Sequence, residues 1–571
     1  MDNVKVAKLL FDIADLLEMK GEEFFKPRAY RRAAMNIESM NEDIQEIWKD
    51  DKLLEIPGVG KGIAEKIEEY LKTGKCRHYE ELKKKMPIKV DELMNIQGLG
   101  PKKLMLFYRK LRITDRKSLE QALKEGKIRK LKGMGEKVEQ NLLKSLQMHK
   151  TPEAQRMLLG YALPIARQIL ARLKSLPEVE QLAIAGSLRR MKETIGDVDI
   201  LVSSSKPAKV MAAFTAMPNV ARVLAKGETK SSIIIKDGMQ VDLRIIPRNS
   251  WGSALAYFTG SKDHNIEMRR IALSKGMKLS EYGLFKGNRQ VAGRTEEELY
   301  NALGLDYVEP ELREMTGEID ASYAHKLPKL VKLSDIRCDL QLHSNWSDGN
   351  NSMESVCEQA IKLGYEFIAM TDHVGSLKIA NSIDEKRFSK YLKEIEKLNE
   401  KYKGRLTILK GAECNITDDG SIDFPSSCLK QLDLVLISLH SGLKQDKQKI
   451  TSRILKAMDN PYVTIFAHPT ARKIGVRPPV DFDYAKVFEK AKARNIFLET
   501  NAYPDRLDLR DMDIKAAIRA GCRISIGTDA HYIEQMHYME LGVAQARRGW
   551  AEKKDVINTL PLKEFLKAIK R

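Results

Sequence analysis

Apolar residues change their spacing twice along this chain of 571 residues. Over residues 3–50 they recur three and four apart, as at Val6, Leu9, Leu10, Ile13, Leu16 and Leu17. That period predicts amphipathic helices, and Pro27 predicts a helix start within FKPRAYRRAAMNIESM. From residue 151 the periods mix. TPEAQRMLLGYALPIARQILARL predicts a helix broken or restarted at Pro164, QLAIAG a strand, and residues 210–247 a helix with two or three strands. A small α/β sheet follows from that alternation. From Ile336 seven short apolar runs alternate with helical stretches: CDLQLHS, FIAMTDH, LTILKGAECNI, LDLVLISLHS, VTIFAHP, IFLETNA and ISIGTDAH. Alternation of this kind predicts a βα barrel, with reactive residues at the C-terminal strand ends. The fold class is therefore multidomain α/β, in a chain too long for one core.

Glycine-centred turns punctuate the helical third. LLEIPGVGKGIAEKIEEYL places Gly58 and Gly60 before Lys61, and LMNIQGLGPKKLMLFY places Gly98 and Gly100 before Lys102. A shorter form surrounds Gly133 and Gly135. Three such turns at roughly 35–40 residue spacing predict repeated helix-hairpin-helix units, the first two matching the hairpin pattern and the third open to a plain helix-connecting turn. Glycine lets backbone approach a phosphate, and the following helix turns N–H groups toward it.

Charge sharpens this picture. Lys and Arg number 98 against 79 Asp and Glu, a net charge of +19, which favours a polyanionic partner. Residues 101–150 hold fifteen Lys/Arg and five Asp/Glu. The six cysteines form no Cys-x-x-Cys pair, as in reduced cytosolic proteins. No apolar run reaches membrane-spanning length, and the N-terminus lacks a secretory apolar region. A cytoplasmic, nucleoid-associated monomer without membrane contact is the expectation.

Residues 184–200, IAGSLRRMKETIGDVDI, carry the first chemistry. Asp197 and Asp199 are two apart in a strand and share a face, and a later strand-like run brings Asp242. Crowded carboxylates repel unless cations neutralise them, and Mg²⁺ takes carboxylate and phosphate oxygens. Gly186 and Ser187 open a helix whose N–H groups suit phosphate, beside Arg189 and Arg190. Together they point to two-metal nucleotidyl transfer. The barrel runs carry a second set: His343, Asp348, His373, Glu413, His440, His468, Asp529 and His531. Five of the ten histidines fall there with three carboxylates, which predicts a metal cluster.

AGSLRR, GDVDILV, VDLR, YFTGS and the two hairpins, in that order, resemble the family X DNA polymerases, the group of DNA polymerase beta. The resemblance covers residues 1 to about 317 and implies a lyase-like domain at 1–82, fingers at 83–150, a palm at 151–248 and a thumb at 249–317. It implies Mg²⁺ ligands at Asp197, Asp199 and Asp242, with Asp242 drawing the proton from a primer 3′-hydroxyl. Gly186, Ser187, Arg190 and Gly196 match nucleotide contacts, Tyr257, Phe258 and Gly260 the sugar-packing segment, and Asn265 and Arg269 contacts to base and template. Gly58, Gly60, Lys61, Gly98, Gly100 and Lys102 match DNA contacts. Lys66 matches an imine-forming amine of some members, with Lys26 and Tyr30 beside it, although Lys61-Gly62 stands where that pattern carries Thr-Lys.

After a linker-like segment at 318–335, residues 336–571 resemble the PHP (polymerase and histidinol phosphatase) domain, a distorted seven-stranded barrel. PolX-type polymerases carry this domain fused to the family X core. The resemblance implies up to three Mn²⁺ or Zn²⁺ ions, 3′–5′ exonuclease activity and abasic-site endonuclease activity. It also implies short-gap filling on gapped or primer-template DNA with dNTPs. One position departs: the first PHP motif is His-x-His, and here it reads Gln341-Leu342-His343. An amide is a poorer ligand than imidazole, so a weakened or purely structural PHP domain is the alternative.

Overall fold

A computed structural model describes residues 3–21, 25–39, 44–56, 58–93, 99–131, 134–135, 139, 142, 156–377 and 380–570. Gly98, Gly133 and the side chain of Lys102 lie outside the described residues. The chain divides into two compact units, Met1–Gln155 and Arg156–Arg571.

The first unit is helical. Val6, Leu9, Leu10, Ile13, Leu16 and Leu17 form one buried stripe of the helix Asn3–Lys20, packed with Ala33, Ala34, Ile37 and Ile67. Pro27 falls in the first turn of Phe25–Ser39, where a missing N–H forfeits no helical bond. Two glycine turns repeat one backbone geometry. Gly60 caps Lys61–Thr73 with φ −90 and ψ 171, and Gly100 caps Pro101–Leu111 with φ −87 and ψ 168. A Cβ on either would meet nothing within 4 Å, so their backbones stand open to an approaching group. Gly58 differs: its φ is +85, a left-handed conformation that favours glycine.

The second unit opens with a five-stranded sheet in the order Val179–Ile184, Asp197–Ser204, Gln240–Ile245, Lys230–Ile235, Val220–Lys226. Only Asp197–Ser204 and Gln240–Ile245 pair in parallel, with Asp199 directly opposite Asp242. The break expected at Pro164 does not occur, because Leu159–Lys174 is a single helix containing it. Ala162, Leu163, Ala166 and Ile169 are buried around the proline, and packing of that face outweighs one lost backbone bond.

Helices Trp251–Thr259 and Lys262–Ser274, a three-stranded antiparallel sheet and helix Glu296–Ala302 follow. They are tied to the first sheet by a buried charge network. Arg313, 0% exposed, donates from Nη1 to Glu296 Oε1 at 2.7 Å, and Arg189 holds the same carboxylate at 2.9 and 2.5 Å. Burial alone would raise Glu296; Arg313 and Arg189 instead hold it down at about 2, from an ordinary 4.5. A carboxylate depressed this far stabilises the fold above pH 4.5 by about 3 kcal/mol, and the contribution is lost as pH falls from 4.5 toward 2. Glu296→Ala strands Arg313 in the interior and is expected to cost about 3–5 kcal/mol, read as a fall in the chemical-denaturation midpoint at pH 7. The penalty should shrink when the titration is repeated near pH 3.

Residues 318–335 contain helix Glu318–Tyr323, whose Glu318 is buried against His264 at 2.8 Å, and Val331 donates to Ala551 O at 3.0 Å. Beyond lie the seven parallel strands in chain order, Cys338–Leu342, Phe367–Met370, Thr407–Asn415, Leu434–Ser438, Ile465–Phe466, Phe497–Asn501 and Ile524–Gly527, with His373–Val374 paired beside the third. A bridge from Leu342 to Ala530 brings the last strand back to the first, giving a nearly closed barrel. Strand residues divide between two clusters. Ile368, Met370 and Ile408 pack under the surrounding helices, while Leu340, Phe367, Leu436 and Phe497 form a second cluster with Phe565 of the final helix Leu562–Ile569. The barrel is clamped to the preceding sheet by Arg472 on Glu193 (2.6 Å) and by Gly160, where a Cβ would lie 2.6 Å from Pro504. Among the described residues, no helix is long and apolar enough to cross a membrane.

Two candidate metal centres

The first centre is made by strand register. Asp199 and Asp242 face each other across the parallel pair, and Asp197 lies one pleat away on the same strand. Burial first, then Asp197 and Asp242, push Asp199 up to about 7. Withdrawal from water and the Asp242 charge raise Asp197. Asp242 has two partners missed in the sequence: Lys230 Nζ at 3.0 Å and Gln240 Nε2 at 3.0 Å. Lys230 was hidden because it arrives from the neighbouring strand. Gly186, φ +64, lies so close that a Cβ would meet Asp199 Oδ2 at 2.3 Å, so only glycine fits there. The helix it opens is one turn, Gly186–Arg189, with Ser187 half-buried beside it.

Three carboxylates this close, with Lys230 bonded to one of them, suit divalent cations. A proton on Asp199 and a cation compete for one site. The apparent Mg²⁺ affinity should therefore rise with pH and level off above about 7, readable as a pH-dependent midpoint in Mg²⁺ titrations of dNTP binding.

Arg190 does not hang free: its Nε donates to Glu314 at 2.9 Å and its Nη1 donates to Thr259 O. Gly260 lies against that guanidinium, at 3.0 Å from an added Cβ. Tyr257, Asn265 and Arg269 line one cavity with His264 and Tyr300, and Asn265 Nδ2 donates to Tyr257 O at 2.6 Å. Phe258 stacks under Arg244 at 4.5 Å. Gly196 is exposed, and a Cβ there would meet Arg156 at 2.9 Å. In the helical unit, Lys66 is half-buried, with Nζ donating to Gly62 O at 2.8 Å. Lys66 and Lys26 both act on the imidazole of His78, and Tyr30, buried, is pushed up to about 12 by burial and then by Cys76.

The second centre is built from all eight barrel residues. Glu413 is its hub: His468 Nε2 lies 3.0 Å from Oε1, His440 Nε2 3.3 Å from Oε1, His343 Nε2 3.4 Å from Oε2 and His373 Nδ1 3.8 Å from Oε2. Asp529 reaches His343 at 3.1 Å, and Asp348 reaches His531 at 3.4 Å. Three subsets converge closely enough to share an ion: His343/Asp348/His373/His531, His373/Glu413/His440 and His343/Glu413/Asp529. Although burial opposes it, the imidazoles, His373 foremost, hold Glu413 well below the carboxylate range. Burial pushes His373 down to about 4, leaving neutral imidazole, the form that ligates. Nδ1 of His343 and Nδ1 of His468 are buried without a hydrogen-bond partner. Orphaned lone pairs of that kind suit a metal centre.

Glu499, Asn501 and Arg506 also border this centre. Glu499 and Asn501 close the IFLETNA run, so its strand-end position was the available signal. Arg506 lies in the next loop and carried none.

Family models match in the order the geometry suggests: a helix-hairpin-helix domain at residues 1–76, a SAM-like helix-hairpin-helix tandem at 90–148, the DNA polymerase beta thumb at 254–314 and the PHP domain at 339–558. The DNA polymerase/3′–5′ exonuclease PolX of Bacillus subtilis (strain 168) is 38% identical over 576 residues, covering all of both chains. The chain belongs to the PolX family. Other relatives match part of the chain. A probable phosphatase of Thermoanaerobacter sp. (strain X514) is 30% identical over 247 residues, 41% of this chain and 96% of its own. Rat DNA polymerase lambda is 24% identical over 344 residues, 55% of this chain and 56% of its own. Metal dependence is a property of both the polymerase and PHP families, and the carboxylate and imidazole clusters accord with it.

Proposed function

We propose that this PolX protein fills short gaps in DNA by nucleotidyl transfer at Asp197, Asp199 and Asp242, and trims 3′ ends at the barrel cluster. The observation that carries the reading is the facing pair Asp199 and Asp242 beside the Gly186 turn. Mg²⁺ held by the three aspartates would neutralise charge at the attacking and leaving oxygens. In this reading Asp242 takes the primer proton, and Ser187 and Arg190 meet the triphosphate. Gly186 and Gly196 shape that pocket, while Tyr257, Phe258 and Gly260 pack the sugar and Asn265 and Arg269 meet base and template. Residues 1–82 and 83–150 grip duplex through Gly60, Lys61 and Gly100, 151–248 form the palm and 249–317 the thumb. In the cell it would act as a nucleoid-associated monomer. Mn²⁺ or Zn²⁺ in the barrel would supply Lewis acidity to a phosphodiester.

A time course on one-nucleotide-gapped DNA with dNTPs, in Mg²⁺ and then Mn²⁺, tests it. Filling to the gap's end, with 3′ shortening when dNTPs are withheld, is expected; a product that ignores the template would refute it. A second reading, a barrel that is chiefly structural, is favoured by Gln341, which donates to Glu413 at 2.9 Å. Absence of Mn²⁺-dependent shortening would select it. Cleavage of abasic DNA by the barrel is a further arm of the same assay. Lys66, which acts with Lys26 and Lys20 on the His78 imidazole, is the candidate for a lyase step. Borohydride trapping on 5′-deoxyribose-phosphate DNA should give an adduct lost in Lys66→Ala, and no adduct in the parent protein would end that idea.

A further inference from the structure

We propose that the barrel cluster of this chain is a two-ion centre, because Gln341 turns a hydrogen-bond donor toward the position a third ion would take. The inference rests on the cluster being a metal site, as proposed above. It follows from the direction of five hydrogen bonds. Tyr503 N–H donates to Asn501 Oδ1 at 3.0 Å. That backbone bond fixes the Asn501 amide, so its Nδ2 must face the cluster. There it meets acceptors alone: Asp529 Oδ2 at 3.1 Å, Glu499 Oε2 at 3.3 Å and Gln341 Oε1 at 3.3 Å. With Oε1 turned toward Asn501, it is Nε2 of Gln341 that faces Glu413, and Nε2 donates to Glu413 Oε2 at 2.9 Å. Turning the Gln341 amide over would set N–H against N–H and oxygen against oxygen. Such buried polar mismatches are costly.

An amide N–H₂ has no lone pair for a cation. Imidazole in its place would offer one ring nitrogen to the ion and keep the other for a hydrogen bond. The donors around Gln341 also occupy what remains of that position. Asn501 covers Asp529 Oδ2, and Arg506 Nε lies 3.4 Å from the same oxygen. Arg506 supplies there the positive charge that an ion would have brought. Gln341 is buried, 0% exposed, so water cannot readily reorient the network. The subset His343/Glu413/Asp529 is thus left with three ligands, two of them engaged by donors, and no fourth from Gln341. The other two subsets, around Asp348 and around His440, contain no atom held by Gln341, Asn501 or Arg506 except the shared Glu413.

The test counts metal. The full chain carrying Asp197→Ala and Asp199→Ala, so that the polymerase centre does not contribute, is stripped with chelator and reloaded with Mn²⁺. It is then passed through gel filtration and assayed by plasma mass spectrometry. Two ions per chain are expected, and three when Gln341→His is added. Three in the parent, or two in the Gln341→His chain, would overturn the proposal. A parent with none would overturn the metal-site reading itself, which separates the two failures. Should Gln341→His not fold, anomalous diffraction at the manganese edge on the parent decides the matter. Two peaks with none at bonding distance from Gln341 are expected, and a peak on Gln341 Oε1 would refute the assignment.

Discussion

Replacing Asp197 and Asp199 together by alanine is expected to lower nucleotide incorporation by about a thousandfold or more, while Mn²⁺-dependent 3′ shortening continues at the parent rate. The size follows from losing several kcal/mol of transition-state charge stabilisation when the cation site is dismantled. Folding should survive. Both residues are repelled by Asp242, and burial raises Asp199 to about 7, so removing them relieves an unfavourable cluster. A melting temperature at or above that of the parent, measured without divalent ions, would accompany the loss. Single-turnover extension on gapped DNA is the measurement. Loss of shortening as well would mean that the two activities share one centre.

The second large effect lies in the barrel. Glu413→Gln keeps the volume but removes the charge on which His343, His373, His440 and His468 converge. Shortening of a 3′ end should fall about a hundredfold or more, by the scale seen when a metal site loses a ligand or its support, and gap filling should stay within about twofold. His440→Ala, farther from Gln341, should behave alike, and so should Asp529→Ala. Measuring the rate against Mn²⁺ concentration separates the causes. A rate restored by high Mn²⁺ reports weakened binding, and one that saturates low reports lost chemistry. Unchanged shortening in Glu413→Gln would place the exonuclease elsewhere in the chain.

The two centres differ in how they could be read. Asp197 and Asp199 were legible because strand spacing of two is local, and Asp242 because its run is strongly β-branched. Lys230 was not, since its contact with Asp242 is created by the order of strands in the sheet. Arg190 was legible as a cation but not as one held by Glu314, which lies 124 positions later and also pairs with Arg548 of the barrel. The seven barrel strands and their eight candidate ligands stood out because parallel, fully buried strands make continuous apolar runs that end in polar residues. Pro164 misled, because a local rule about proline yielded to the packing of Leu159–Lys174.

By itself, the sequence determined which residue types could meet a metal, the alternation of strand-like runs and helices in the barrel, and that Gln341 breaks a pattern. Only the tertiary structure decided what Gln341 does there. The direction of an amide is set by its neighbours, and Asn501, itself fixed by Tyr503, reaches it from 160 residues away along the chain. Local spacing fixes periodicity and turn chemistry. Hydrogen-bond direction, charge sharing and the closing of the barrel arise only when distant segments are brought into register.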